Sequence, residues 1–327
     1  MTVEETHAAQ TPAGDCWFLS GATASGKTAV AVELALRLGA EIISLDSMAV
    51  YRGMDIGTAK PTPAERGGIP HHLIDIVEPA DAFSLAEYVA AAEAAAADIR
   101  SRGREPLFVG GTPLYLKALL RGIFTAPPAD WPLRQEWHEA AKERGREWLH
   151  AELARIDPAA AAALHPANTR RIIRALEVFQ KTGVPISELQ RQFARARPAE
   201  ACRVFVLDWP RAELNGRIER RVEAMFAAGL VDEVRSLTEN GRALGRTAGQ
   251  AVGYREAIEH LAGVRDLAAT IELVKTRTRQ FAKRQGVWFR GLSECRFVPI
   301  GKEFDPRDVA ERIMRTSEVA LPSPPVG

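Results

Sequence analysis

Residues 21–28 read Gly21-Ala22-Thr23-Ala24-Ser25-Gly26-Lys27-Thr28 and match the phosphate-cradling pattern G-x-x-x-x-G-K-[ST]. An apolar run at 16–19 predicts a buried strand before the loop, and apolar residues at 30, 34 and 38 predict a helix after it. Backbone N–H groups from Ser25 to Thr28 can then converge on a diphosphate at the start of the helix. Lys27 adds a positive charge, and the Thr28 hydroxyl can hold Mg²⁺.

The overall composition is that of an ordinary globular enzyme. The chain has 327 residues and a formal net charge of +1, and its three cysteines are too far apart in sequence for a C-x-x-C pair. No apolar stretch approaches the roughly 18 residues that cross a bilayer, and the polar N-terminal segment resembles no targeting signal. We therefore expect a cytoplasmic monomer with no membrane contact, no implied protein partner, no disulfides and no structural zinc.

The order of predicted elements indicates the fold class. Strands near 16–20, 42–45 and 107–109 alternate with helices at 27–38 and 84–101, which is typical of a parallel sheet covered by helices. Pro127 and Pro128 then introduce a wholly helical pattern, and a strand returns at 203–208, followed by helices at about 211–228, 231–239, 254–261 and 266–285. The predicted fold is α/β, a P-loop NTPase-like core with an inserted all-helical domain. We assign 14–127 and 199–312 to the core, 128–198 to the insertion, and 1–13 and 313–327 to flexible tails.

Basic residues are concentrated in two segments although the net charge is small. Residues 165–197 contain seven arginines and lysines against two acids, and residues 271–290 contain six against one. A solvated helix face explains either segment alone, but two of them in a P-loop protein favour binding to a polyanion.

Two predicted strands end in groups that could carry chemistry. The strand at 42–45 is followed by Asp46, and the strand at 107–109 by Gly110-Gly111-Thr112, without a carboxylate. Carboxyl ends of neighbouring parallel strands share one crevice, so Asp46 and Thr112 could both face the ligand of the loop. Asp46 could remove a proton from a group attacking the atom bonded to the diphosphate. A capping acid or a magnesium ligand is the alternative interpretation of Asp46.

From these residues alone several functions stay open. The protein could be an ATP-dependent phosphotransferase, a regulatory NTPase, or a transferase whose donor is another diphosphate.

Further stretches narrow these alternatives. They are Asp46–Pro61 (DSMAVYRGMDIGTAKP), Pro70–Asp75 (PHHLID), Val109–Thr112 (VGGT), His165-Pro166, Arg170–Val178 (RRIIRALEV), Val252–Glu256 (VGYRE), Lys283–Gln285 (KRQ) and Trp288–Arg290 (WFR). Together they resemble the tRNA dimethylallyltransferases, also called tRNA isopentenyltransferases, in the family's order from about residue 16 to 290.

The resemblance implies a Mg²⁺-dependent prenyltransferase. Its members transfer a dimethylallyl group from dimethylallyl diphosphate to N6 of adenine 37, in the anticodon stem-loop of tRNAs reading codons that start with U, and release diphosphate. It also implies that the loop holds the prenyl diphosphate, although the same motif is typical of ATP-binding and other nucleotide-binding sites.

By matching position, the resemblance also implies roles for individual residues. Asp46 becomes the general base, with Thr28 and Arg221 as the other catalytic residues, and Arg217 is the alternative to Arg221. The diphosphate or nucleotide site comprises Gly21, Ala22, Thr23, Ala24, Ser25, Gly26, Lys27, Thr28 and Arg221. The tRNA contacts comprise Asp46, Ser47, Met48, Ala49, Thr112, Arg134, Arg170, Arg171, Arg174, Gly253, Tyr254, Arg255, Lys283, Arg284, Gln285, Trp288 and Arg290. Tyr254, Trp288 and Phe289 could stack on bases, but a place in the core is the commoner role for such aromatics.

Some positions depart from the family pattern, and rival functions stay open. Ala22, Ala49, Pro113 and Val287 replace the family's usual residues, which puts in doubt any hydrogen bond assigned to positions 49 and 287. The rivals are an isopentenyltransferase acting on free adenosine nucleotides, a nucleoside or nucleotide kinase, and a P-loop RNA-binding protein without turnover. His71 and His72 lack a further ligand cluster, so they are expected to fix a loop and not to bind a metal.

Overall fold

The computed structural model describes residues 15–124, 127–191, 196–239 and 243–318. The predicted tail at 1–13, the part of the other tail from 319 onward, and Arg195 of the first basic segment lie outside these ranges.

The described residues contain one six-stranded parallel sheet. Its strands are β1 (Trp17–Gly21), β2 (Ala40–Ser44), β3 (His71–His72), β4 (Glu105–Gly110), β5 (Arg203–Asp208) and β6 (Cys295–Pro299). Their order across the sheet is β3-β2-β4-β1-β5-β6. Every residue of β1 is buried, as expected for a central strand covered on both faces. The predicted α/β fold with a parallel sheet is confirmed.

Thirteen α-helices accompany these strands in the described ranges. The core contains α1 (Lys27–Leu38), α2 (Leu85–Ser101), α3 (Pro113–Arg121), α9 (Arg211–Ala227), α10 (Leu230–Thr238), α11 (Tyr254–Leu261), α12 (Leu267–Arg290) and α13 (Pro306–Glu318). The remaining helices are α4 (Trp131–Arg144), α5 (Arg146–Ile156), α6 (Pro158–Ala163), α7 (Thr169–Thr182) and α8 (Ile186–Leu189). None of the helices in the described ranges has the length and apolar character needed to cross a membrane.

The chain divides into two compact units. One comprises 1–120 with 196–327, and the other comprises 121–195 and contains α4 to α8. The second unit has its own apolar core, which includes Leu149, Leu153, Ile172 and Leu176. The wholly helical insertion inside an α/β core is therefore present.

The C-terminal part of the core differs from the prediction. Helix α13 continues to Glu318, so the flexible tail predicted from residue 313 is wrong over its first six residues. Val309, Ala310 and Ile313 are buried against Val30 and Leu34 of α1, and this packing orders the segment. Helix α12 also extends five residues past its predicted end at 285.

The three cysteines are buried, and the two neighbouring histidines have local contacts. Cys16, Cys202 and Cys295 form no disulfide bond with one another in the described residues. His71 Nδ1 lies 2.8 Å from the carbonyl oxygen of Ile69, and His72 Nε2 lies 2.7 Å from Glu41 Oε2. Both rings therefore fix the short strand β3 locally.

Candidate active site

The loop between β1 and α1 has the conformation of an anion-binding site. Ala24 and Gly26 both have left-handed backbones, with φ of 62° and 84°, and Gly26 precedes α1 as an N-cap residue that offers no side-chain hydrogen bond. The first N–H groups of a helix have no partner within the helix, so an uncapped start offers them to an anion. Ser25 Oγ is also buried without a partner in the described structure. These features fit a bound diphosphate.

Two side chains bind carbonyl oxygens of the loop. Of these two, Trp209 and Arg217, only Arg217 is named in the sequence analysis. Trp209 Nε1 donates to the carbonyl oxygen of Ser25 at 2.9 Å, and Arg217 Nε donates to that of Ala24 at 2.8 Å. The Arg217 guanidinium lies over the Trp209 ring, 4.4 Å from its centroid, and 5.2 Å from the ring centroid of Phe304. Arg217 is therefore engaged in bracing the loop, which distinguishes it from Arg221.

Lys27 lies inside the loop and is strongly affected by burial. Its Nζ donates to the carbonyl oxygens of Gly21 and Ala22 at 3.0 and 2.7 Å. Its pKa is lowered to about 7, chiefly by burial and also by the charge of Arg221, while Asp46 opposes the shift. An anion placed here would be stabilised by a cation that water screens poorly.

Arg221 approaches the loop at Thr23, next to the residue that Arg217 binds. Its Nη1 lies 3.5 Å from Thr23 Oγ1. Burial lowers the pKa of Arg221, while the neighbouring Asp46 raises it. Lys27, Arg221 and Asp46 thus form one group of interacting charges, in which Arg221 is the better candidate for a diphosphate contact.

The ends of β2 and β4 bring Asp46 and Thr112 together. The Leu45 N–H donates to the Val109 carbonyl at 2.8 Å, the Thr112 N–H donates to the Leu45 carbonyl at 3.2 Å, and the Ser47 N–H donates to Thr112 Oγ1 at 3.1 Å. A Cβ on Gly110 would lie 2.1 Å from the Leu45 carbonyl oxygen, so only glycine permits this approach. The juxtaposition expected from neighbouring strand ends is present.

Asp46 also shapes the turn that follows it. Its Oδ1 accepts from the N–H groups of Met48 and Ala49 at 2.8 and 3.3 Å. The interpretation of Asp46 as a capping acid therefore applies to Oδ1, one of its two carboxylate oxygens. Ala49 is buried, and its carbonyl accepts from the Asp75 N–H at 3.2 Å. The Ala49 side chain therefore does not present a surface to RNA, contrary to its predicted role.

Gln285 is not an exposed RNA contact, contrary to the prediction. Its side chain is buried, Oε1 accepts from the Thr23 N–H at 2.9 Å, and Nε2 donates to the Gly111 carbonyl at 2.6 Å. Both ends of the amide are thus used inside the protein. The sequence contained a signal for this burial. Ala282, Gln285 and Phe289 are spaced three and four residues apart, on one face of the helix, and all are buried.

The Val252–Glu256 segment likewise has an internal role. Tyr254 is fully buried and donates its hydroxyl to Glu233 Oε1 at 2.6 Å, so it cannot stack on a base. Glu233 also accepts from the N–H groups of Asp55, Ile56 and Gly57. Gly253 is buried and donates to Glu256 Oε2 at 2.7 Å. Of the three predicted RNA contacts here, only Arg255 is exposed, and it pairs with Glu259.

Helix α12 presents three of its predicted RNA contacts to solvent. Lys283, Arg284 and Arg290 are exposed, and Trp288 is half-buried, whereas Phe289 is fully buried in the core. Arg290 Nη2 lies 3.3 Å from Asp208 Oδ1. These exposed cations on α12 are therefore available to the phosphates of an RNA.

In the helical unit, a buried carboxylate engages two predicted RNA contacts. Glu177 is fully buried; Arg134 binds it through Nε at 3.0 Å and Nη2 at 2.8 Å, and Arg174 binds it as well. Burial pushes the pKa of Glu177 upward, but hydrogen bonds from Arg134, the Asp130 amide and Arg174 outweigh it and hold that pKa below its usual value. Arg134 and Arg174 thus have structural partners. Arg170 and Arg171 are exposed.

A magnesium ion would have to be held by few protein ligands. Among the described residues, no group of three or more His, Cys, Asp or Glu could form a metal site. Mg²⁺ commonly binds through one or two protein oxygens together with substrate phosphates. The Thr28 hydroxyl, in the first turn of α1, and the oxygens of a bound diphosphate fit that requirement.

Comparisons with known proteins show the family of the chain. Residues 49–292 match the model of the IPP transferase family, and residues 14–76 match that of the isopentenyl transferases. The chain is 50% identical over 280 residues to tRNA dimethylallyltransferase 1 of Trichlorobacter lovleyi, covering 86% of this chain and 92% of that protein. It is 47% identical over 296 residues to the tRNA dimethylallyltransferase of Anaeromyxobacter dehalogenans, covering 90% and 97%.

Solved structures show the same fold. The full-length tRNA isopentenylpyrophosphate transferase of Bacillus halodurans superposes with a TM-score of 0.65 at 38% identity, covering 94% of this chain and 98% of that one. A eukaryotic dimethylallyltransferase acting on tRNA gives a TM-score of 0.68 at 27% identity, covering 87% and 73%.

The fold and the site define an α/β P-loop protein in which a candidate anion-binding loop lies near a carboxylate and a hydroxyl at neighbouring strand ends. With the family model matching most of its length, the chain belongs to the IPP transferase family, as the resemblance of its motifs implied.

Proposed function

We propose that this protein transfers a dimethylallyl group from dimethylallyl diphosphate to N6 of adenine 37, in the cytoplasm, in tRNAs reading codons that start with U. The observation that supports it best is the group of charges formed by Lys27, Arg221 and Asp46 beside Thr112. Two cations suit a departing diphosphate, and a carboxylate suits proton removal from the attacking amine.

The reaction exchanges one bond for another. The N6 lone pair forms a bond to C1 of the dimethylallyl group while the C1–O bond breaks, and its electrons leave with the diphosphate. Adenine N6 is a weak nucleophile, so stabilising the leaving charge should supply most of the rate. Lys27, Arg221 and the N–H groups at the start of α1 provide that stabilisation.

Asp46 receives the proton that N6 loses. Its Oδ1 is occupied by the amides of Met48 and Ala49, so we assign Oδ2 to proton removal. Thr112 Oγ1, held by the Ser47 N–H at 3.1 Å, would orient the adenine beside this carboxylate. Mg²⁺, held by the Thr28 hydroxyl and the diphosphate oxygens, would supply further charge neutralisation of the leaving group.

The RNA substrate is supported by the exposed cations. The phosphates of an anticodon stem-loop can bind to Lys283, Arg284 and Arg290 on α12 and to Arg170 and Arg171 on α7. The target adenine has to leave its stack to reach a loop at the end of a sheet, and an anticodon loop permits this at low cost.

The test is a comparison of acceptors. The protein would be incubated with Mg²⁺, dimethylallyl diphosphate and either an anticodon stem-loop carrying adenine 37 or AMP, and the products analysed by mass spectrometry. We expect addition of C5H8 to adenine 37 and far slower modification of AMP. Equal rates would favour the isopentenyltransferase that uses free nucleotides. Addition of a phosphoryl group from ATP would favour a kinase, and RNA binding without product would favour a binding protein.

A further inference from the structure

We propose that Gln285 is a positioning residue that joins the diphosphate loop to the end of β4, and that it does not contact RNA. The inference rests on the proposed function, because its consequence is the rate of transfer. It reassigns a residue whose place in the KRQ motif suggested an RNA contact.

One amide bridges two parts of the site. Oε1 accepts from the Thr23 N–H in the loop at 2.9 Å, and Nε2 donates to the Gly111 carbonyl at 2.6 Å. Thr23 also meets Arg221 through its hydroxyl at 3.5 Å, and Gly111 precedes Thr112. Gln285 thus lies between the group that handles the diphosphate and the threonine assigned to the adenine.

The bridge is buried and closely packed against Gly111. Gln285 is 4% exposed, and a Cβ on Gly111 would lie 2.6 Å from its Nε2. Glycine at position 111 is therefore required for the contact. Since Thr112 in turn binds the Ser47 N–H, the bridge continues to the turn that contains Asp46.

The chemistry of the bridge requires an acceptor and a donor on one planar group. Methionine has a similar length but offers only a weak acceptor and no donor. Ionised glutamate keeps the acceptor for the Thr23 N–H but faces the Gly111 carbonyl with a second acceptor. Protonated glutamate restores the donor, so Gln285→Glu is a conservative replacement only at low pH.

The first measurement separates positioning from RNA contact. In Gln285→Met, we expect kcat to fall about 100-fold, which is the typical effect of a displacement near 1 Å in an active site, with Kd for the anticodon stem-loop unchanged. Gln280→Met, an exposed site on the same helix, should leave both constants unchanged. Thermal unfolding would establish that each variant is folded. An unchanged kcat, or a weakened Kd for RNA as the main effect, would overturn the inference.

The second measurement uses pH and stands even if Gln285→Met does not fold. Burial and the Gly111 carbonyl favour the neutral form of a glutamate at this position, so Gln285→Glu should be most active relative to wild type at low pH. We expect the ratio of its kcat to that of wild type to fall as the pH rises from 6 to 9. A ratio independent of pH would contradict the proposed bridge. A wild-type protein that transfers no dimethylallyl group would instead contradict the proposed function.

Discussion

The charge state of Lys27 predicts how strongly the loop binds dimethylallyl diphosphate at different pH values. Burial lowers the pKa of Lys27 to about 7 in the protein without ligand. The diphosphate brings negative charge next to Nζ, which raises this pKa in the complex. Binding near pH 8 is therefore accompanied by proton uptake, and affinity should fall as the pH rises above 7.

The magnitude follows from the free-protein pKa. With a pKa of about 7, half of the Lys27 side chains are charged at pH 7, and about one in a hundred at pH 9. If the pKa in the complex lies above 9, Kd should be about 50-fold higher at pH 9 than at pH 7. The last proton of a phosphate group has a pKa near 6, so the phosphate is largely ionised from pH 7 to 9 and the change over this range reports on the protein.

Isothermal titration calorimetry with Mg²⁺ at several pH values measures the effect. The proton uptake itself would appear as a dependence of the binding enthalpy on buffer. Lys27→Met should bind more weakly at pH 7 and show little change up to pH 9, whereas Lys142→Met, at an exposed position, should follow wild type. A wild-type Kd that stays constant from pH 7 to 9 would refute a lysine with a lowered pKa at the diphosphate.

Three variants test the remaining roles. Asp46→Asn keeps an oxygen for the Met48 amide but removes the base. We therefore expect kcat to fall by about 10²- to 10⁴-fold, with RNA binding intact. An unchanged kcat in single-turnover transfer would dismiss Asp46 as the base. Arg170→Ala combined with Arg171→Ala should weaken stem-loop binding and reduce the slope of log K against log salt by roughly 1 to 2, and an unchanged slope would count against a phosphate contact. Arg174→Ala should lower the free energy of unfolding by about 1–3 kcal/mol, because buried Glu177 loses a partner. In urea denaturation, unaltered stability together with lost RNA affinity would return Arg174 to the RNA-binding residues.

Local patterns predicted helix α1 and the neighbouring strands β1 and β5 well. Helix α1 covers the predicted 27–38, and β1 and β5 lie within a residue of their predicted bounds. Each combines a strong apolar pattern with a clear boundary, such as the glycine-rich loop after β1. Strand β3 could not be predicted in this way, because two residues, His71 and His72, show no periodicity. Its presence depends on pairing with Ile42 and Ile43.

The site could be predicted only where it follows from the order of the strands. That Asp46 and Thr112 meet follows from strand order alone, since both come directly after neighbouring parallel strands. Whether a polar side chain faces RNA or the interior depends on contacts from distant parts of the chain. Gln285 meets Thr23 and Gly111, and Tyr254 meets Glu233, through such contacts. The family resemblance placed these residues in functional motifs but did not distinguish direct contact from positioning.

The central claim is that the loop at 21–28 binds a prenyl diphosphate and not a nucleotide. The most direct test titrates dimethylallyl diphosphate or ATP, each with Mg²⁺, into the protein carrying a stem-loop whose target base lacks the N6 amine. We predict that dimethylallyl diphosphate binds in a 1:1 ratio, that Lys27→Met weakens this binding, and that ATP does not displace it. Displacement by ATP, with ATP binding that is itself weakened in Lys27→Met, would contradict the account.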